Sequence, residues 1–345
     1  MAPSPIESRR DLAGVSRDLA ISVVAGLVLL LFALRTHAAE PLPSWNDTGP
    51  KQAVLAFVDK VTREGGSDFV PVDQRIAVFD MDGTLIPEKP LPAAVMPIVE
   101  DVKTAATKNP ALKQKPAIAA LLEGDAAGVA AAGEAGLVDI ISAATDGRTT
   151  EEVGASTRKV LETVKDPRYG KPYTELAYQP MVELVNHLHE NGFQVWICSG
   201  SPVLFTRQFP RSTFGIPPQQ ILGSSVHTQF VERDGRTVLV YTNKIDHIND
   251  KEGKPVTIHL AIGQRPLFVG GNVGNGGDIA MMRYSKDRAG PSFQLLINHD
   301  DAAREFAYAE KDGYSLDAAK KYGFNVVSIA KDWATIFRDP SSPSP

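Results

Sequence analysis

Two carboxylates lie two residues apart in the segment IAVFDMDGTLIP, residues 76–87. The apolar run 76–79 is β-branched and aromatic, which is typical of a strand buried on both faces. Asp80 and Asp82 come just after its carboxyl end, where open α/β sheets have their ligand-binding and catalytic sites. Their spacing sends both side chains to roughly the same side of an extended chain, and Gly83 then allows a tight turn. Two like charges held this close favour a bound cation between them.

Several other elements must position these carboxylates. The segment HTQFVERDGRTVLVY predicts a β-hairpin that turns at Asp234-Gly235. Further apolar runs typical of buried strands occur at 193–198, 266–271, 293–299 and 324–330. Because helical stretches separate these runs, we expect an α/β fold. Its core is predicted to be a Rossmann-like, doubly wound, mostly parallel sheet with an inserted all-α cap domain and a β-hairpin.

The domain boundaries follow from composition. Residues 89–170 are alanine-rich, with several helical periods and few strand signals. We therefore expect a helical cap at 88–178, inserted into a core formed by residues 45–87 and 179–338.

The two ends of the chain differ from the rest. A basic start, an apolar run over 19–34 and small residues around Ala38 predict a signal peptide over 1–39. An uncleaved membrane anchor through 19–34 is the alternative. Either predicts an exported protein, periplasmic or anchored to the inner membrane and facing outward. The tail DPSSPSP, residues 339–345, is predicted to be disordered.

Composition excludes some classes of protein. The net charge of −5 and the absence of a basic block argue against a nucleic-acid partner. Cys198 is the only cysteine, which excludes an internal disulfide and a cysteine-based zinc cluster. Its apolar surroundings predict a buried core residue rather than a nucleophile.

The segment DMDGT resembles the first motif, Asp-x-Asp-x-Thr, of the haloacid dehalogenase-like phosphohydrolases. Pieces similar to the other three family motifs follow in order: SGS at 199–201, a lysine at 251 or 254, and GGNVGNGGDIAMM with Asp278. Over roughly residues 45–338 the chain resembles a bacterial branch close to the phosphoserine-phosphatase-like group.

This resemblance implies a Mg²⁺-dependent phosphomonoester hydrolase that acts through an aspartyl-phosphate on a small phosphorylated metabolite. It implies that Asp80 is the nucleophile and Asp82 the general acid and then base. A lysine would neutralise charge on the transferring phosphoryl group, and its sequence context favours Lys254 over Lys251.

The resemblance also implies the residues that bind the ligands. The residues expected to contact substrate or phosphate are Thr84, Ser199, Gly200 and Glu88, although Glu88 could instead be a surface residue. The expected Mg²⁺ ligands are Asp80, the carbonyl of Asp82, Asn272 and Asp278. Asn272 stands where the family usually has an acid, so the site would hold the metal with one negative charge less.

Other functions stay open at this point. A phosphotransferase could use the same aspartyl-phosphate, and a catalytically idle, membrane-associated binding protein would agree with Asn272 and the possible anchor. A carbon–halogen hydrolase would not need the acid at Asp82. The HDD segment at 299–301 lacks the spacing of a metal site and is expected to be surface or structural. The oligomeric state is not readable from the sequence.

Overall fold

The computed structural model describes residues 40–209 and 211–338. The described residues from Leu42 to Arg338 belong to one compact unit. The predicted signal peptide or anchor and the predicted disordered tail lie outside the described residues, so both stay predictions. Among the residues that are described, no helix is long and apolar enough to cross a bilayer.

The centre of the molecule is a seven-stranded sheet with the order β4-β3-β2-β1-β5-β6-β7. The strands are β1 Ile76–Phe79, β2 Gln194–Pro202, β3 Ile221–Arg233, β4 Arg236–His247, β5 Phe268–Asn272, β6 Phe293–Asn298 and β7 Asn325–Ser328. Every neighbouring pair is parallel except β3 and β4, which form the predicted hairpin. Positive φ angles at Asp234 and Gly235 suit its tight turn. The predicted α/β fold is confirmed.

Helices cover both faces of the sheet and fill the interval between β1 and β2. They are α1 Gly49–Thr62, α2 Val95–Lys108, α3 Pro116–Glu123, α4 Ala126–Ala131, α5 Gly133–Thr145, α6 Thr150–Thr163, α7 Gln179–Glu190, α8 Val203–Thr206, α9 Arg211–Phe214, α10 Gly253–Ile262, α11 Ile279–Lys286, α12 Tyr314–Tyr322 and α13 Ile329–Asp332. Short 3-10 turns occur at 72–74, 110–114, 173–175 and 218–220.

Strand β1 is buried on both faces, which explains its continuous apolar sequence. Ala77 and Phe79 pack into the core on one face of the sheet, whereas Ile76 and Val78 pack into the core on the other. This alternation is the two-residue period of an extended strand. The strand is therefore fixed in register, and so is the residue that follows it.

Helices α2–α6 lie where the cap is predicted. Their apolar residues form a third cluster, which also includes Leu204 and Phe205 of α8 and Val226 and Tyr241 of the hairpin. Because these helices and the sheet belong to one compact unit, the division into core and cap domains stays a prediction.

The topology brings three strand ends together. From β1 the chain leads to β2, β3 and β4 on one side of the sheet, and then to β5, β6 and β7 on the other. The carboxyl ends of β1, β2 and β5 therefore meet at the point where the strand order reverses. Doubly wound sheets bind their ligands at this switch point.

Candidate active site

Asp80 is the first residue after β1, and the ladder between β1 and β5 extends to its backbone. Its N–H donates to the carbonyl of Gly270 at 3.0 Å. The residue is only 6% exposed. The side chain is thus placed by a buried, hydrogen-bonded strand rather than by a mobile loop.

The turn that follows brings the backbone back sharply. The carbonyl of Met81 accepts from the N–H groups of the three residues 84–86. Gly83 has a φ of +80°, and a Cβ there would come within 2.8 Å of the Tyr308 hydroxyl and would also overlap the Asn272 amide. Glycine is required at this position because the backbone is left-handed and two side chains pack against it.

Lys254, in the first turn of α10, lies between two carboxylates. Its Nζ is 2.6 Å from Oδ1 of Asp80 and 2.6 Å from Oδ1 of Asp278. Burial acts to lower the pKa of Lys254, but the two carboxylates outweigh it and raise this pKa, so the ammonium is retained. Burial, followed by the charge of Asp278, raises the pKa of Asp80 well above its usual value.

Asp82 faces the same cavity and accepts a hydrogen bond from the hydroxyl of Ser201, at 2.7 Å from Oδ2. Burial raises its pKa to about 6, even though the Ser201 hydrogen bond opposes that shift. A carboxyl group with such a pKa can hold or release a proton near neutral pH. Ser201 belongs to the SGS segment, but its contact with Asp82 was not predicted from the sequence.

Asn272 is the last residue of β5, and Asp278 lies at the end of the following loop, just before α11. Oδ2 of Asp278 accepts from the backbone N–H of Asn272 at 2.9 Å, so both of its oxygens are hydrogen bonded. The amide oxygen of Asn272 accepts from the Thr84 hydroxyl at 3.3 Å. Thr84 is fully buried and braces Asn272. Its predicted phosphate contact stays a prediction, as does metal binding by Asp278.

The residues present fit a magnesium ion. Asp80, the carbonyl of Asp82 and the amide oxygen of Asn272 are the hard oxygen donors that Mg²⁺ prefers. The carboxyl groups of Asp80, Asp82 and Asp278 line the same cavity as Lys254, so acidic groups outnumber the one ammonium and a divalent cation would favour their ionised form. Nowhere in the described chain do three or more His, Cys, Asp or Glu residues form a ready-made metal site, so carbonyl and amide oxygens would have to contribute.

A cavity of about 360 Å³ opens above these groups. Its lining includes Ser199, Gly200 and Glu88, three of the residues expected to contact substrate. Glu88 pairs with Lys89 at 3.3 Å. Lys251 is exposed and lines a separate cavity, so of the two candidate lysines the fold brings Lys254 to the carboxylates.

A second buried polar group lies behind the turn after β1, and sequence reasoning missed it. We call His299, Glu305 and Tyr178 the histidine cluster. The imidazole of His299 donates to the Gly83 carbonyl at 2.7 Å and meets Glu305 at 3.0 Å, and Glu305 accepts from Tyr178 at 2.9 Å. Of the two alternatives left open for His299, the surface one is wrong, because the residue is 2% exposed.

Tyr308 connects the histidine cluster to two residues that line the cavity, Asn272 and Glu88. The Tyr308 ring stacks on His299 with ring centres 4.2 Å apart. Its hydroxyl lies 3.4 Å from the Asn272 amide nitrogen and makes a hydrogen bond with Glu88. The segment NHDDAAREFAYA contains His299, Glu305 and Tyr308. Because this segment is far from Gly83 along the chain, the contact between them could not be predicted from the sequence.

Comparison with known proteins agrees with this geometry. The family model for haloacid dehalogenase-like hydrolase matches residues 77–272. No curated protein matches the chain significantly.

Solved structures provide a second comparison. A conserved, functionally unknown protein from Anaerococcus prevotii is 15% identical, with a TM-score of 0.51 over 85% of this chain and 96% of its own. A phosphoserine phosphohydrolase-like protein from Francisella tularensis is 16% identical, with a TM-score of 0.40 over 73% and 94%. A probable phosphoserine phosphatase from Vibrio cholerae is 14% identical, with a TM-score of 0.37 over 74% and 68%. The first similarity is one of fold, and none of the three assigns a substrate to this chain.

Proposed function

Because this chain belongs to the haloacid dehalogenase-like hydrolase family, we propose that it hydrolyses phosphate monoesters of small metabolites through an aspartyl-phosphate on Asp80. The observation that carries the proposal is the position of Lys254. Its ammonium bridges Asp80 and Asp278 at the base of a cavity that Asp82 also lines. This arrangement supplies a nucleophile, a proton carrier and a cation for the phosphoryl oxygens within one site.

In the first half-reaction, a carboxylate oxygen of Asp80 attacks phosphorus and the ester P–O bond breaks. The leaving oxygen takes the proton held by Asp82, which becomes a carboxylate. Burial supports this role because it raises the pKa of Asp82 to about 6, which keeps a protonated fraction available. The Ser201 hydrogen bond holds the carboxyl in a fixed orientation.

In the second half-reaction, water attacks the phosphorus of the aspartyl-phosphate and gives its proton to the Asp82 carboxylate. The bond between phosphorus and Asp80 breaks, and inorganic phosphate leaves with Asp80 and Asp82 restored. Lys254 faces the phosphoryl group in both steps, and its ammonium offsets the negative charge that spreads over the oxygens. Asp278 holds that ammonium in place.

Mg²⁺ bound by Asp80, the Asp82 carbonyl and Asn272 would neutralise charge on the phosphoryl group and orient it for attack. Asn272 contributes a neutral oxygen where an acid would contribute a charged one. The Thr84 hydroxyl donates to the Asn272 amide oxygen and fixes its orientation. A well-oriented neutral oxygen would thus take the place of a negatively charged one.

The decisive experiment is hydrolysis of p-nitrophenyl phosphate by the full chain, with Mg²⁺ and after chelation by EDTA. Asp80→Asn is the test variant, and Asp73→Asn, an exposed carboxylate before β1, is the matched control. We expect metal-dependent turnover that Asp80→Asn abolishes and Asp73→Asn retains. Turnover by Asp80→Asn equal to that of the parent would contradict the proposal.

The same preparation separates the alternatives. If adding an acceptor alcohol diverts most of the phosphate to a new ester, the protein is a phosphotransferase. If p-nitrophenyl phosphate is inert and chloride is released from 2-chloropropionate, the chemistry is carbon–halogen hydrolysis. If the folded protein turns over neither compound, a binding role without catalysis replaces the proposal.

A further inference from the structure

Part of the cavity wall is apolar. Its apolar lining residues include Leu137, Ile141, Val226, Ile245, Ile248 and Pro92. They come from α5, from the hairpin and the residue just after it, and from the segment before α2, so this wall forms only when helices and hairpin pack together. A volume of about 360 Å³ lies at the low end for small-molecule sites, which suits a short leaving group.

The charge of the lining is strongly unbalanced. Lys254 is the only cationic side chain among the lining residues, all of which belong to the described chain, and it is already shared by Asp80 and Asp278. Glu88 has Lys89 as its partner. A substrate with a second anionic group would therefore meet no free cation in this cavity.

Asp250 also lines the cavity, and within the described chain its carboxylate makes no hydrogen bond or ion pair. Its Oδ1 lies 3.7 Å from the position of a Cβ on Gly200 and 2.5 Å from that of a Cβ on Gly277. The carboxylate is thus beside the end of β2 and the loop after β5. The next residue, Lys251, lines a different cavity.

Hydrogen bonds fix the backbone beside Asp250, whose own carbonyl accepts from the N–H of Gly253 at 2.8 Å. The side chain of Asn249 donates to the Ser199 carbonyl at 2.8 Å, and its backbone N–H donates to the Ser224 hydroxyl at 3.0 Å. That hydroxyl donates in turn to the Gly200 carbonyl at 2.7 Å. A carboxylate without a partner in the described chain, carried on a backbone fixed in this way at the wall of a cavity, can accept hydrogen bonds from a cationic group with little reorganisation of the backbone.

We propose that Asp250 binds a primary ammonium group on the substrate, so that the enzyme hydrolyses phosphate esters of short amino alcohols that carry no carboxylate. This inference rests on the phosphatase function proposed above. An ammonium supplies donors for the Asp250 carboxylate, and the hydrocarbon part of the alcohol can contact the apolar wall. No aromatic side chain lines the cavity within the described chain, which favours a primary ammonium over a quaternary one, because the latter depends on cation–π contacts.

The test compares kcat/KM for three esters: 2-aminoethyl phosphate, n-propyl phosphate, in which a methyl replaces the ammonium, and O-phosphoserine, which adds a carboxylate. The parent should favour 2-aminoethyl phosphate over each of the others by about tenfold or more, the effect of one charge-assisted hydrogen bond. Asp250→Asn should bring the ratio between 2-aminoethyl and n-propyl phosphate to about one.

Asp246→Asn is the matched control, because it removes the same charge from an exposed position on β4. It should keep the preference of the parent. Equal rates for 2-aminoethyl and n-propyl phosphate in the parent, or a preference that survives Asp250→Asn, would overturn the inference. An equal increase for every ester in Asp250→Asn would also overturn it, because the carboxylate would then only repel phosphate.

p-Nitrophenyl phosphate distinguishes this failure from failure of the proposed function. Turnover of p-nitrophenyl phosphate without a preference for the ammonium ester would overturn the inference alone. If the folded parent hydrolyses none of these esters, the phosphatase function fails and the ammonium site fails with it.

Discussion

Two buried polar groups flank the turn after β1, and they differ in how completely their charges and hydrogen bonds are matched. In the histidine cluster, the carboxylate of Glu305 meets the imidazole of His299 and the Tyr178 hydroxyl, and the second imidazole nitrogen meets the Gly83 carbonyl. In the other group, which we call the carboxylate–lysine cluster, Asp80 and Asp278 share the ammonium of Lys254, while the third carboxyl group, Asp82, accepts a hydrogen bond from the Ser201 hydroxyl.

The difference indicates which cluster is built to accept a ligand. A buried polar network whose members all have partners adds rigidity and specificity. Buried carboxylates in excess of their cations are unfavourable unless something else supplies positive charge. Only the carboxylate–lysine cluster opens into the cavity, where a metal ion and a substrate could supply it. We therefore expect substitutions in the carboxylate–lysine cluster to lower activity by far more than substitutions in the histidine cluster do.

The largest expected effect is that of Asp80→Asn on activity. Removing the nucleophile should lower kcat for p-nitrophenyl phosphate on the order of 10⁴-fold or more. The same change removes one unfavourable buried charge, so the melting temperature should stay equal or rise. Activity assays and thermal unfolding of the same preparation would check both. A large fall in melting temperature would show that the carboxylate–lysine cluster does not carry an excess of negative charge.

Lys254→Met should affect both properties. It leaves Asp80 and Asp278 buried without their cation, which costs about 3–5 kcal/mol of unfolding free energy. The rate should fall on the order of 10²–10³-fold, because the charge of the phosphoryl oxygens loses a fixed partner. Urea unfolding and steady-state kinetics would measure these changes.

Lys251→Met is the matched control for the lysine substitution, since Lys251 is exposed and lines another cavity. Both its stability and its rate should match those of the parent. A loss of rate in Lys251→Met with none in Lys254→Met would reverse the assignment of the two lysines.

His299→Phe tests the histidine cluster. The Gly83 carbonyl and the Glu305 carboxylate would lose their buried partner, which costs about 2–4 kcal/mol of unfolding free energy. Displacement of the turn should lower kcat of the folded protein about tenfold, because the carboxylates that follow β1 would shift. His299→Gln keeps a hydrogen-bond donor for the Gly83 carbonyl. It should therefore recover part of the lost unfolding free energy and part of the lost kcat.

His227→Phe serves as the control for that pair of variants. His227 lies on the hairpin with one side-chain partner, Thr242, at 3.1 Å, and it does not line the cavity within the described chain. Its kcat should be that of the parent. If His299→Phe is less stable but keeps its full kcat, the histidine cluster supports the fold and does not position the turn.

The smallest effect is expected at the rim of the histidine cluster, where Arg304 pairs with Asp301. Burial acts to raise the pKa of Asp301, but the N–H groups and guanidinium of Arg304 outweigh it and lower this pKa. An aspartate whose pKa is lower in the folded protein stabilises the fold at pH values above its pKa in the unfolded chain, which is about 3.9. This stabilisation is lost as the pH falls through the lower pKa of the folded protein.

Asp301→Asn should therefore lower the unfolding free energy by about 1 kcal/mol at pH 7, a small amount because Arg304 is 36% exposed. The difference from the parent should shrink as the pH falls below about 3.9. Urea titrations at pH 7 and at pH 3 would measure it, and a difference that grows on acidification would contradict the assignment.

The local parts of the site were predictable. Strand β1 matches the apolar run at 76–79 because burial on both faces leaves a clear signal in sequence. The hairpin turn at Asp234-Gly235 and the burial of Cys198 also match their predictions. Each of these features depends on residues that are close together along the chain.

Contacts between distant segments were not predictable. Lys251 and Lys254 are equivalent as isolated charges, and only the placement of α10 against β2 directs Lys254 to Asp80. His299 reaches the Gly83 carbonyl across 216 positions of the chain. A local sequence pattern carries no information about a contact between residues so far apart along the chain.

The α/β class, the strand that carries Asp80 and Asp82, and the family resemblance could all be inferred from the amino-acid sequence, because these features depend on short-range periodicity and on spaced motifs. The tertiary structure decided which lysine meets the carboxylates and that both oxygens of Asp278 are hydrogen bonded. It also decided that Asp250 lines the cavity and that its carboxylate has no partner among the residues that the structure describes. Only the packing of helices and hairpin around the ends of parallel strands sets the distances between groups that lie far apart in the chain.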